Sequence, residues 1–249
     1  MKFLFAAVAM LTTAAIFDPA RAAEIKVVGS PGFREAYTEL LPGFEKTTGN
    51  KVTTIWGGVT EVAGRVADGE TADIVILPVA QIDDLIARGK LMAATRVVVA
   101  KSGVGVAVKR GAPKIDISSG DAVRKALLAA KSIAYSTGPS GAHMADLIRK
   151  WGIADQLRAR IVISPADTPV GVVVARGGAE IGFQQVSELL HVKGIDYLGP
   201  LPADIQETTV FAAALHKDAR SPDAARALIN FLSAPAAAPV IRNAGMDPR

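Results

Sequence analysis

The chain predicts an α/β protein of two lobes, each a mostly parallel sheet covered by helices, with a cleft between them. Three observations carry that expectation. Short apolar runs of strand length alternate with stretches of helical period through the sequence, the pattern of parallel strands joined by crossover helices. The strand candidates fill two sheets of four or five more readily than one long sheet. Two glycine- and proline-rich stretches, 101–111 and Gly199-Pro200-Leu201-Pro202, offer the chain places to cross between them. One lobe is then expected from 23–111 with 206–249 and the other from 112–205, and two crossings imply a hinge.

In chain order, Lys2, the apolar run 3–17 and Ala20-Arg21-Ala22 have the form of a cleaved export signal over residues 1–22. The apolar run is short of the roughly 20 residues that cross a bilayer. Strand candidates follow at 25–28, 52–56, 74–77, 104–108, 132–135, 161–163, 181–183 and 210–215. Between the first two, Phe33, Tyr37, Leu40, Leu41 and Phe44 recur at helical spacing, as Val123, Leu127 and Ala130 do later. Ser118 with Asp121 reads as a capping box, and Ser221-Pro222 as an N-cap with proline at the first helical position. The alanine-rich 234–238 suits a packed C-terminal helix.

Composition excludes several classes of function. The 249 residues contain no cysteine, so an exported chain has neither disulfides nor thiol chemistry and rests on packing alone. Export without disulfides points to a bacterial periplasm. A formal charge of +4, basic residues in separate segments and 5% aromatics do not make a nucleic-acid face, which needs massed charge and stacking rings. His143, His191 and His216 lack metal-ligand spacing. Gly138-Pro139-Ser140-Gly141 misses the hydrolase nucleophile elbow by one position, and there is no phosphate-binding loop of the nucleotide type. No metal and no cofactor is expected, and the protein is expected to be a monomer.

The joints between strands and helices carry the functional expectation. Four of them are built from small or hydroxyl residues: Gly29-Ser30-Pro31-Gly32; Trp56-Gly57-Gly58-Val59-Thr60; the run Ser136, Thr137, Gly138, Pro139, Ser140, Gly141, Ala142, His143; and Ser164-Pro165-Ala166-Asp167-Thr168-Pro169-Val170. In open α/β sheets ligands sit beyond the carboxyl ends of the strands, where helix N-termini expose unpaired N–H groups and partial positive charge. Small side chains let a ligand reach that backbone, so a small anion is the expected guest.

With TADIVILPVAQIDDLIARGK after the second joint, SIAYSTGPSGAHMADLIRKWG in the middle and GGAEIGFQQVSELL later, the chain resembles the molybdate-type periplasmic solute-binding proteins along essentially its whole mature length. The resemblance implies the two-lobed type II binding-protein fold, a small anionic ligand and an inner-membrane ABC permease as partner. It implies Ser30 as the ligand serine of the first lobe and Gly57, Gly58, Val59 and Thr60 as the second ligand loop. It further implies an N–H from the Pro139-Ser140-Gly141 turn and a last amide near Thr168 to Val170. Where molybdate binders carry a tyrosine, this chain has Gln184 and Gln185. Their amides, and Trp56 as an apolar wall, suit a planar carboxylate better than a compact tetrahedral dianion.

The Gln-Gln-Val-Ser-Glu run and the Ser-Gly-Ala-His turn are similar to a subgroup that includes aconitate isomerase, an enzyme on the same scaffold. Two expectations therefore stand. One is a receptor whose ligand is held by backbone N–H groups at Ser30, Gly58, Ser140 and Val170 together with Gln184 and Gln185. The other is an isomerase of an unsaturated polycarboxylate. An isomerase needs a base that takes a proton and returns it to another carbon. His143 is the expected base, with Glu188 and Asp167 behind it and Glu188 otherwise a solvated helix residue.

Overall fold

A computed structural model describes residues 22–165 and 168–249. The export-signal expectation over 1–22 and the candidate base Asp167 therefore fall almost wholly outside the described residues. Twenty elements alternate as the sequence leads one to expect. They are β1 (Glu24–Gly29), α1 (Arg34–Thr48), β2 (Lys51–Trp56), α2 (Val59–Ala67), β3 (Ile74–Pro78), α3 (Val79–Ala87), β4 (Val97–Lys109), α4 (Gly120–Ala129), β5 (Ile133–Tyr135) and α5 (Pro139–Lys150). There follow α6 (Ala154–Leu157), β6 (Ile161–Ile163), α7 (Val170–Ala175), β7 (Ile181–Gln185), α8 (Val186–Leu189), β8 (Ile195–Pro200), β9 (Thr208–Leu215), α9 (Pro222–Ser233), α10 (Ala238–Asn243) and β10 (Asp247–Pro248).

The strands run in the order β2-β1-β3-β9-β4-β7-β5-β6, with β8 and β10 also paired to β4. The sheet is mixed. The outer pairs β1–β2, β1–β3, β5–β6 and β5–β7 are parallel, whereas every pair made by β4 or β9 is antiparallel. The reason is connectivity: β4 serves both halves of the sheet. Its start pairs with β9 and its end with β7 and β8. The change of partner comes at Gly103 and Val104, within the glycine-rich stretch.

Each half is covered on both faces. On β3, Ile74 and Ile76 join one buried cluster, with residues of α1, α9 and α10, while Val75 and Leu77 join another, with residues of α2 and α3. That two-residue period is what a strand buried on both faces requires. The other half repeats the arrangement, with α4 and α5 on one face and α7 with Leu189 of α8 on the other. The helical spacing read around Tyr37 is the buried face of α1, with Ala36, Tyr37, Leu40 and Phe44 inside, and Gly49 ends it at φ 74° in the left-handed region.

Two local expectations need correction. The N-cap of α4 is Ser119, whose side chain accepts from the Ala122 N–H, and not Ser118. Ser221 does precede Pro222 at the start of α9, but its hydroxyl donates to the Glu24 carbonyl instead of capping the helix. There the cap is replaced by a tie between the chain's last third and its first strand.

Two glutamines hold the crossings together. Gln206, on the return segment, accepts from the Val104 N–H at 2.8 Å and donates to the Val104 and Leu201 carbonyls at 3.0 and 3.3 Å, imitating a strand neighbour. Gln185, at the end of β7, is buried. In the amide orientation that satisfies all its neighbours, it donates to the Ser102 and Gly103 carbonyls and accepts from the Thr209 hydroxyl.

Candidate functional site

All four joints open onto one cleft of ≈ 410 Å³ between the two halves. They reach it because each lies at the carboxyl end of a parallel strand: β1 and β2 in one half, β5 and β6 in the other. The tight fits that shape the joints explain their glycines. A Cβ on Gly29 would lie 3.0 Å from the Trp56 ring and from the Ile76 carbonyl, one on Gly32 would collide with Phe211, and one on Gly141 would overlap the Ser136 carbonyl.

The expected ligand residues divide into three groups. Ser30, Pro31, Gly57, Gly58, Val59, Thr137, Ser140, Thr168, Gln184 and Gln185 line the cleft. Thr60 and Ala142 line an adjoining cavity of ≈ 510 Å³ that shares Val59 and the Thr137-Gly138-Pro139 turn with it. Gly141, Val170 and His143 line neither.

Two expected donors are already engaged. The Ser30 N–H donates to the Ile76 carbonyl at 3.0 Å, continuing the β1–β3 pairing, and the Val170 N–H donates to Gln184 Oε1 at 2.8 Å. What Ser30 offers the cleft is its hydroxyl, buried and without a hydrogen-bond partner among the described residues. Among the described residues, the amides of Val59 and Ser140, in the first turns of α2 and α5, remain as donors because a helix leaves its first N–H groups unpaired.

His143 is not positioned as the expected base. Its Nε2 meets the Ile205 carbonyl at 2.6 Å and its Nδ1 meets Glu207 at 2.7 Å, so both ring nitrogens are engaged on the return segment outside the cleft. The Gln185 amide is likewise occupied at the crossing. Glu188 is where a reactive group would be. It sits in the cleft wall on α8, half-buried, with Gln184 Nε2 donating to its Oε2 at 2.6 Å. Burial pushes its carboxyl up to about 7, against the opposing pull of the Gln184 hydrogen bond and the Arg34 charge. Gln184 therefore spans the start of α7 and the carboxyl of Glu188 with the two ends of one amide.

Arg34 went unnoticed in the sequence and is the cleft's one cationic side chain among the described residues. It stands at the first position of α1, its guanidinium carbon 5.5 Å from the centre of the Trp56 ring. A signal did exist: a positive charge in a helix's first turn opposes the macrodipole and needs a reason. The other carboxylate of the wall, Glu61, is paired with Arg65 at 2.9 Å. Among the described residues there is no group of three or more His, Asp or Glu able to hold a metal.

Residues 25–247 match the bacterial extracellular solute-binding proteins. The chain belongs to that family. It is 36% identical over 230 residues to an aconitate isomerase of a Pseudomonas species, covering 90% of this chain and 87% of the other. It is 27% identical over 237 residues to the molybdate-binding protein ModA of Azotobacter vinelandii, covering 91% and 90%. The solved A. vinelandii periplasmic molybdate-binding protein superposes with a TM-score of 0.77 at 22% identity, over 90% of this chain and 99% of that one. The periplasmic binding-protein architecture expected from the sequence is thus the architecture of this solute-binding protein.

Proposed function

We propose that this family member works in the periplasm on a small unsaturated polycarboxylate, binding it in the cleft and shifting its double bond with Glu188 as the proton carrier. The observation that carries the reading is the placement of Glu188 inside an anion-receiving cleft. A receptor for a compact dianion gains nothing from a carboxyl in its wall, because the two charges repel. A carboxyl that ionises near neutrality and is aimed by Gln184 is suited to taking and returning a proton. The 36% identity to an aconitate isomerase supports the same substrate class.

The chemistry balances without a cofactor. Ionised Glu188 removes a proton from the methylene beside a substrate carboxylate, and the electron pair spreads over the allylic system. The same carboxyl then returns the proton to the former vinylic carbon, moving the double bond by one position. The amides at Val59 and Ser140 and the Ser30 hydroxyl would bind carboxylates and take up the charge that grows on them.

The test is to incubate the purified mature protein with trans-aconitate and follow the isomer ratio by NMR. Turnover is expected, with a loss of about 10²–10⁴-fold in Glu188→Gln and retained turnover in His143→Gln. A second reading, a receptor delivering its ligand to an ABC permease, is favoured by the two paired crossings, which suit closure over a ligand. Tight binding of one anion with no turnover would select it.

A further inference from the structure

Arg34 has no role in the reaction just described, yet its surroundings are those of a ligand group. Its Nε is buried and without a hydrogen-bond partner, and the side chain makes no ion pair among the described residues. The guanidinium carbon stands over a braced aromatic ring. Trp56 lies 5.5 Å from its centre carbon, Tyr37 packs edge-on against Trp56 at 5.2 Å and 87°, and the Tyr37 hydroxyl is bonded to Thr54 at 2.6 Å. Tyr37 and Arg34 are three apart on α1, so one helix face sets both the prop and the group it supports. A guanidinium that rests on a ring and makes no ion pair among the described residues is available to a ligand, and its fork of N–H donors matches a carboxylate in two places. Ser30, whose hydroxyl is buried and also unpartnered, lines the same wall.

We infer that Arg34, propped on Trp56, is the specificity-determining group for a tricarboxylate, binding one substrate carboxylate while the first-turn amides of α2 and α5 receive the other two. The cleft then has three positive poles: Arg34, the Val59 amide and the Ser140 amide. A volume of ≈ 410 Å³ falls in the range of sites for small organic ligands. A compact tetrahedral oxyanion is satisfied by a few converging donors, and with its charge on one centre it has no separate anionic group to reach a further pole. The fork and Glu188 come from different halves of the sheet and line the same cleft, so both can reach a substrate bound there. The inference rests on the carboxylate reading of the cleft but not on turnover.

Calorimetric titration with tricarballylate, a saturated tricarboxylate that has no double bond to shift, separates the two. Wild type should bind it more tightly than molybdate. Arg34→Gln should weaken tricarballylate binding by about 30- to 100-fold and Arg34→Lys, which keeps the charge and loses the fork, by about 10-fold. Trp56→Leu, which touches no carboxylate in this scheme, should weaken it several-fold by freeing the guanidinium. Circular dichroism and urea midpoints for each variant exclude a folding defect as the cause. Loss of affinity in Arg34→Gln with no aconitate turnover in wild type would leave this inference standing and remove the isomerase. Unchanged tricarballylate affinity in a folded Arg34→Gln, or wild-type preference for molybdate, would overturn it whatever the turnover.

Discussion

In the proposed reaction, the Glu188 carboxyl ties function to stability. Its value in the folded protein, about 7, stands above the ordinary 4.5 because burial disfavours the charged form. The folded state therefore binds the proton more tightly than the unfolded chain. The stability that the protonated group contributes is full below pH 4.5 and is lost as pH rises through 7. Glu188→Gln removes that dependence. Its stability relative to wild type should rise between pH 5 and pH 8 by on the order of 2–3 kcal/mol, read from urea unfolding at the two pH values. A difference that is flat with pH would mean the carboxyl is well solvated. In the isomerase reading, wild-type kcat/KM should climb over the same interval as the base ionises. Arg34 did not stand out in the sequence, and Glu188 was read there only as a base behind His143 and otherwise as a solvated helix residue. Glu188 follows Gln184 and Gln185 in a helix of four residues, too short for periodicity to say which way a side chain faces. Ser30 and Gly58 were legible as cleft residues because they follow the carboxyl ends of β1 and β2, where topology alone places them in the wall.

Among the elements, the start of α5 shows why its joint has the composition it does. Gly141 packs so closely on the turn before it that a Cβ would overlap the Ser136 carbonyl, whereas a Cβ on Gly138 would meet only the Ser136 hydroxyl at 3.4 Å. Gly141→Ala should therefore destabilise the fold by about 2–4 kcal/mol and displace the Ser140 amide, while Gly138→Ala should lie within about 1 kcal/mol of wild type. Urea midpoints rank the two variants, and equal midpoints would refute the close approach. The long, doubly covered strands were readable from their apolar runs. The antiparallel seam was not, because a two-residue period carries no direction. Strand β8 also went unread, since Asp196, Tyr197 and Gly199 interrupt the apolar run of a strand only partly buried. The cap of α4 was misread by one residue because Asp121, three after Ser118, gave that serine the spacing of a capping box; the geometry chose Ser119, whose hydroxyl reaches the Ala122 N–H.

At the scale of the molecule, the two halves are joined by β4 and by the return segment ahead of β9, and Gln206 is bonded across these two connections. Its amide supplies the Val104 N–H with an acceptor and the Val104 and Leu201 carbonyls with a donor. A β-strand would do this with backbone, but the return segment has no strand at that point, so a side chain takes its place. Glycine and proline marked the neighbourhood of the crossings in the sequence, yet nothing in the letters singled out a glutamine as the clamp, since its partners lie 102 and 5 residues away. Gln206→Leu keeps the volume and removes the amide, leaving the N–H of the buried Val104 unpaired. It should cost about 1–3 kcal/mol of stability. If the clamp also sets how far the halves swing apart, the variant should show a larger radius of gyration without ligand by X-ray scattering and a weaker apparent affinity, in proportion to the fraction of molecules drawn away from the closed form. Saturating ligand should restore the wild-type radius, since closure is then driven from the cleft. A variant that loses stability while radius and affinity stay at wild-type values would make Gln206 a local brace with no part in the motion.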